Sequence, residues 1–345
     1  MTRIQISGFK SFDRFQIDGL KQINVITGMN NVGKTALLES MYLGINSESS
    51  FHFLSCLYDI FVERGLYVPN YAKIESLFKD SAVVHIETDE NEFTAEKLQG
   101  SELSESDRQI FVRMSNMDHQ DFFSLEKAFF FKFTDKNGKV DIALLPRVET
   151  MLNSLFEDKN YLASQNTYLS SRTKYANFLK FTYERVTSIF KEDALLSSMR
   201  LLDERIEKLN IIQDMLQIKL STLSSYIPIN ELGDGFCRVV EILMNLYISE
   251  KNIVFVDEIE NGIHYSKIKT IWKDIITTCM HNDIQLFVTT HSKEFIDVLS
   301  EVSQSLDFDN IAVINLYKDE EKLKYTMVDS VDILANRIEM GLENR

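Results

Sequence analysis

The sequence predicts an α/β fold: a parallel core around a phosphate-binding loop, with an antiparallel β lobe and a mainly helical segment inserted into it. Three observations predict this. The apolar strand Asn24 to Thr27 runs directly into Gly28-Met-Asn-Asn-Val-Gly-Lys-Thr35, a loop of the G-x-x-x-x-G-K-[ST] form. A second apolar strand, Ile253-Val-Phe-Val256, ends on two carboxylates, and a third, Gln285-Leu-Phe-Val-Thr289, ends just before His291. Continuous apolar runs of this kind belong to strands buried on both faces, as in a parallel sheet covered by helices.

Taken in order, Arg3 to Ser7 and Arg14 to Ile17 alternate as strands do. The segment after Lys34, from Ala36 to Leu43, places Leu37, Leu38, Met41 and Tyr42 on one side of a helix. From about Ser81 to Leu145 the pattern changes to period two, predicting strands at Val83 to Glu87, Phe93 to Lys97, Ile110 to Met114 and Ala128 to Phe133. Asn137-Gly138 is a hairpin signal because both residues tolerate positive φ. From Thr173 to Leu209 the spacing of Phe178, Phe181, Val186, Ile189 and Phe190 predicts helix, followed by strands Ile211 to Met215 and Gln217 to Leu220. A helix from Ser266 to His281 and a closing hairpin, Ile311 to Leu316 with Lys324 to Met327, complete the chain. We expect one domain over 1–345: a core from 1–45 and 226–345, an antiparallel lobe at 46–150 and a helical insertion at 151–225.

Composition narrows the function classes. A net charge of −15 over 345 residues argues against a broad nucleic-acid surface. Cys56, Cys237 and Cys279 form no CxxC pair, so neither a disulfide framework nor a zinc site is expected. No apolar run approaches the roughly 18 residues of a membrane span, and the first ten residues lack a signal-peptide core. The expected protein is cytoplasmic and soluble, with no membrane partner.

Four motifs carry chemistry. In the loop from Gly28 through Asn30, Asn31, Val32 and Gly33 to Thr35 and Ala36, backbone amides surround phosphates, Lys34 neutralises them, and the Thr35 hydroxyl is a magnesium ligand. Asp257 is placed to hold magnesium and Glu258 to deprotonate an attacking water. His291, just past an apolar strand, falls at the same sheet edge and is read as a terminal-phosphate contact. The turn Leu232-Gly-Asp-Gly235, with Arg238 beyond it, opens an apolar helix and offers an anion site through Gly233, Asp234 and Gly235. Five of the 12 glycines, Gly28, Gly33, Gly233, Gly235 and Gly262, fall in or beside these motifs, where backbone must approach phosphate or turn sharply.

The order of these motifs resembles that of ABC-type ATPases. Gly8-Phe-Lys-Ser-Phe12, the Gly28 loop, Leu232 to Arg238, Asp257-Glu-Ile-Glu-Asn-Gly-Ile-His264 and Thr289-Thr-His-Ser292 are similar to the overcoming-lysogenization-defect (OLD) group, relatives of SMC and RecF proteins. The resemblance implies a P-loop NTPase, an ABC-type ATPase head that takes ATP and Mg2+, with Lys10 reaching the nucleotide. It also implies a homodimer or higher oligomer formed through ATP, in which the signature turn of one subunit caps the nucleotide of another. A separately encoded effector, a nuclease or similar, and a role in antiphage defence follow from the same resemblance.

Departures qualify it. Transporter signatures have serine where this chain has Gly233, so contact there falls to backbone amides or Arg238. Tyr168-Leu-Ser-Ser-Arg172 is the candidate for the glutamine loop. Residues 292–345 have room for a helix and hairpin but not for the nuclease domain of many OLD-group members, so the ATPase part alone is expected. Two alternatives stay open: a DNA-repair ATPase of the RecF or SMC kind using Arg172, Lys174, Lys180 and Arg185, and a scaffold that holds ATP with little turnover.

Overall fold

The computed structural model describes residues 1–64, 77–78, 82–115, 125, 128–145, 166–171, 176–320 and 322–334. Its elements begin with β1 (Arg3–Phe9), β2 (Phe12–Asp18), β3 (Ile23–Gly28), α1 (Lys34–Asn46), α2 (Ser50–Glu63), β4 (Val83–Thr88), β5 (Glu92–Gln99) and α3 (Glu105–Ser115). Next come β6 (Phe129–Asp135), β7 (Val140–Leu145), β8 (Thr167–Leu169), α4 (Ala176–Ser188), α5 (Glu192–Leu202), β9 (Ile206–Ile212), β10 (Met215–Leu220) and β11 (Ile227–Pro228). The chain closes with α6 (Asp234–Ile248), β12 (Ile253–Val256), α7 (Ile268–Asn282), β13 (Gln285–Thr289), α8 (Lys293–Ser305), β14 (Ile311–Asp319) and β15 (Lys322–Val328). These form two units: Met1–Leu20, Thr35–Ser164 and Lys318–Lys324 make the first, and Lys21–Lys34, Gln165–Tyr317 and Tyr325–Arg345 the second.

The first unit holds an antiparallel sheet in the order β2-β1-β4-β5-β6-β7. Residues 1–18, read above with the core, belong to this sheet instead, since Ile4 and Ile6 pair with Thr88 and Ile86 of β4. The apolar residues of β1 alternate, and alternation suits a sheet with one wet face. At β6 both faces are covered, so consecutive Phe130 and Phe131 are each fully buried. Phe131 meets Phe53 of α2 edge-on at 5.4 Å, whereas Phe130 meets Phe111 of α3 at 5.1 Å. Ile110 to Met114, expected as a strand, lies in α3. Ser104 caps that helix, accepting the Asp107 N–H at 3.1 Å, while the Asp107 carboxylate takes the Ser104 N–H at 3.3 Å. Such a reciprocal box fixes the helix start. The Asn137-Gly138 hairpin forms, with Gly138 at φ 75° and Asp135 accepting the Asn137 and Lys139 N–H groups.

The second unit contains a sheet ordered β15-β14-β3-β13-β12-β8. β3 pairs in parallel with β13 and β14, and β12 with β13 and β8, so the carboxyl ends of these strands share one edge. β3, β12 and β13 are buried almost throughout, as their apolar runs require. Trp272 of α7 is fully buried and donates its indole N–H to the Phe295 carbonyl at 3.0 Å. The helical stretch expected to Leu209 ends at Leu202, and β9 begins at Ile206. β9 and β10 are joined through Gln213 and Asp214, both at positive φ, so Met215, expected to end the strand from Ile211, opens β10 instead. A register shift at Lys219/Leu220 interrupts the period-two pattern that would have marked this hairpin. Among the described residues no helix is long and apolar enough to cross a membrane.

Candidate functional site

The parallel register brings the ends of β3, β12 and β13 to one edge, and the second unit's chemistry-bearing side chains gather there. Gly28 stands at φ 137°, and a Cβ on it would fall 2.3 Å from the Leu316 carbonyl oxygen, so only glycine lets the loop leave β3 here. Asn31 and Gly33 also have positive φ. Met29, Asn30 and Asn31 are exposed, whereas the Val32 side chain is buried.

Lys34 is 5% exposed. Its ammonium donates to the Gly28 carbonyl at 2.9 Å and the Met29 carbonyl at 3.0 Å, and lies 3.1 Å from His291 Nδ1. A lysine ammonium has three protons and no lone pair, so Nδ1 is the acceptor and the ring proton sits on Nε2. That nitrogen is turned toward Glu258, with Oε1 at 3.9 Å. Burial pulls the Lys34 pKa below its ordinary value, against the opposing pull of Asp257, Glu258 and Glu260.

Asp257 is 4% exposed, and its Oδ1 accepts the Thr289 hydroxyl at 2.6 Å. The same hydroxyl oxygen accepts the Glu258 N–H at 2.7 Å. Glu258 adopts φ 49°, a left-handed conformation that costs a side-chain-bearing residue about 1–2 kcal/mol. Its Oε2 accepts from Asn261 Nδ2 at 2.8 Å, and Asn261 also donates to the Ser171 carbonyl at 3.1 Å. Glu260 accepts the His291 N–H at 2.6 Å. Lys34, Asp257, Glu258 and His291 are therefore brought together as the sequence predicts.

Thr289, Glu260 and Asn261 were not singled out from the sequence, although each lies inside a quoted motif. The available signal is a polar residue ending an otherwise apolar strand; the structure shows Thr289 fully buried, where a polar group needs a partner. Of the glutamine-loop candidate, Tyr168 and Leu169 lie in β8 and Ser170 and Ser171 follow it, while Arg172 and Lys174 lie outside the described residues.

Two expectations change. Arg238 is fully buried, with Nη1 on Glu241 at 3.0 Å and Nη2 donating to the Asp257 carbonyl at 3.0 Å. It cannot reach a nucleotide laid on the turn. Lys10, in the first unit, ion-pairs with the buried Glu39 rather than standing ready for a phosphate. Thr35 and Ala36 follow Lys34 directly in α1. Gly233, at φ 92° with open space around it, and the exposed Asp234 open the 15-residue helix α6. The turn is available to an anion through backbone alone.

A magnesium–nucleotide group fits this donor set. Among the described residues, buried Lys34 meets two loop carbonyls and a histidine nitrogen, two carboxylates stand beside it, and glycine conformations open the loop.

Residues 23–297 match the family described as "AAA domain, putative AbiEii toxin, Type IV TA system". An "ATP/GTP phosphatase" of Helicobacter pylori is 24% identical over 331 residues, covering 88% of this chain and 89% of that protein. The "DNA replication and repair protein RecF" of Acholeplasma laidlawii is 24% identical over 284 residues, covering 80% of this chain and 74% of that protein. In fold, the chain is similar to an SMC head in a crystal structure bound to the C-winged helix domain of ScpA, with a TM-score of 0.50 at 11% identity over 95% of this chain and 98% of that one.

Proposed function

Because the chain belongs to the AAA-domain family matched over residues 23–297, we propose that it binds ATP with Mg2+ and hydrolyses it, two copies closing around shared nucleotide to regulate a separately encoded effector. The observation that carries the chemistry is the convergence of Lys34, Asp257, Glu258 and His291, with His291 bridging between the Lys34 ammonium at 3.1 Å and Glu258 at 3.9 Å. Backbone amides of Gly28 to Lys34 and the Lys34 ammonium would hold the phosphates, and Asp257 would hold the ion. Bound MgATP supplies the scissile anhydride and the cation's charge. Glu258 Oε1 takes the proton of an attacking water, and His291 Nε2–H donates toward the charge that develops on phosphate oxygen. Asn261 and Thr289 keep Glu258 oriented. The H. pylori relative's name supports turnover.

The experiment compares wild type with Glu258→Gln. Losing a general base slows chemistry by about 10²–10⁴-fold, so single-turnover hydrolysis should fall by that factor while ATP binding persists. Light scattering should then show the variant at dimer mass with ATP and monomer mass without it. Equal single-turnover rates would favour the ATP-holding scaffold, and a monomer with ATP would remove the shared-nucleotide dimer.

The RecF relative supports a second reading, an ATPase that grips DNA. It predicts DNA affinity that appears only with ATP and falls steeply with salt. The toxin–antitoxin wording of the family description fits antiphage defence better than repair. A nuclease or reverse-transcriptase gene next to this one would support defence, and recombination genes would shift the reading to repair.

A further inference from the structure

The loop from Asp257 to Gly262 is held at both ends by α6. At its start, Arg238 Nη2 donates to the Asp257 carbonyl at 3.0 Å. At its end, Gly235 and Gly262 are in backbone contact: a Cβ on Gly235 would lie 1.6 Å from the Gly262 carbonyl oxygen, and one on Gly262 would lie 2.6 Å from Gly235 Cα. The peptide joining Asp257 to Glu258 is itself gripped from both sides, its C=O by Arg238 and its N–H by the Thr289 hydroxyl. That peptide leads into the left-handed Glu258. An unheld peptide there can rotate to relieve the strain, carrying the Glu258 carboxylate out of place.

Stability alone is a poor reason for this arrangement. Arg238 and Glu241 are 0% and 1% exposed, and a buried ion pair is often no more stabilising than apolar side chains of the same volume.

We propose that Arg238 is a positioning residue: it locks the Asp257–Glu258 peptide to the helix behind the Gly233–Gly235 turn, so that the turn and the two carboxylates move as one body. What seats on the turn thereby sets where Glu258 stands. This rests on the ATPase reading above.

The test uses the double variant Arg238→Met/Glu241→Leu, which removes both buried charges together, and Arg238→Lys, which keeps a cation beside Glu241 but offers no fork to reach Asp257 as well. Misplacing a catalytic group by about an ångström costs on the order of 10²-fold, so kcat should fall by roughly 10–100-fold in both. KM and the affinity for a fluorescent ATP analogue should stay within about threefold, since the phosphate loop is untouched. A merely structural role predicts the opposite split: lowered melting temperature, with kcat per folded molecule unchanged. Wild-type kcat in whichever variant folds, measured as active fraction by analogue binding, overturns the proposal. Wild type that hydrolyses no faster than Glu258→Gln fails the ATPase reading instead, so the two failures are distinct.

Discussion

The buried charges of the first unit and those at the strand ends of the second are treated in opposite ways. In the first, Glu39 is fully buried and receives both Lys10 and Arg64, and Asp107 meets Lys132 at 3.0 Å. Burial pushes the Asp107 carboxyl up, but hydrogen bonds from Ser104 and Lys132 outweigh it, and the group titrates below its ordinary range. In the second, burial wins at Lys34 and depresses its pKa despite three nearby carboxylates, while Glu258 is kept in a left-handed backbone. Charges in the first unit are settled by their partners. Those at the strand ends of the second are held in unfavourable states by the surrounding fold, which is how reactive groups are kept poised.

Damage to the first unit is therefore expected to show as lost stability, and damage to the strand ends of the second as lost chemistry. The largest stability effect is expected from Phe131→Ala. That ring is fully buried against Phe53 and, stacked at 5.4 Å, Phe78, and such truncations cost about 3–5 kcal/mol. Urea unfolding should show this loss, with hydrolysis per folded molecule retained; a matching loss of hydrolysis would break the division of labour. Next comes Thr289→Val, which keeps the shape and removes the hydroxyl that holds both Asp257 and Glu258. A deleted hydrogen-bonding partner of this kind is worth about 1–3 kcal/mol. We expect kcat to fall by roughly 10–100-fold, with Thr289→Ser close to wild type, because serine restores the hydroxyl. Equal rates for Val and Ser would remove Thr289 from the positioning network.

What could be read from the sequence follows the same division. β3, β12 and β13 announced themselves because strands buried on both faces have to be apolar throughout, and parallel order then put Lys34, Asp257, Glu258 and His291 at one edge. The alternation of Ile110, Val112 and Met114 predicts a strand where α3 forms, although the Ser104-Glu-Ser-Asp107 segment ahead of it carries a helix-capping box. The role of Arg238 was not legible. An arginine four residues into an apolar helix reads as an exposed cation, and only the Asp257 carbonyl at 3.0 Å and the Glu241 carboxylate show that it points inward. Side chains that act through backbone atoms of a distant segment leave no periodicity behind.

The smallest effects test the comparison through pH, using nucleotide-free protein. The folded pKa of Asp107 lies below 3.8, so its contribution to stability is complete above that value and fades as pH falls through the lower folded one. The stability gap between wild type and Asp107→Asn should be constant near neutrality and shrink in acid. Lys34 has a folded pKa below 10.5, so between the two values the unfolded chain binds more protons and stability rises with pH. Relative to Lys34→Met, wild type should therefore gain stability as pH climbs toward 10.5 and show no such trend near neutrality. Urea melts across the two pH ranges check both signs. A Lys34 gap that narrows in wild type's disfavour with rising pH would mean its ammonium is stabilised by Asp257, Glu258 and Glu260 after all, and the contrast between settled and poised charges would fail at the residue on which it most depends.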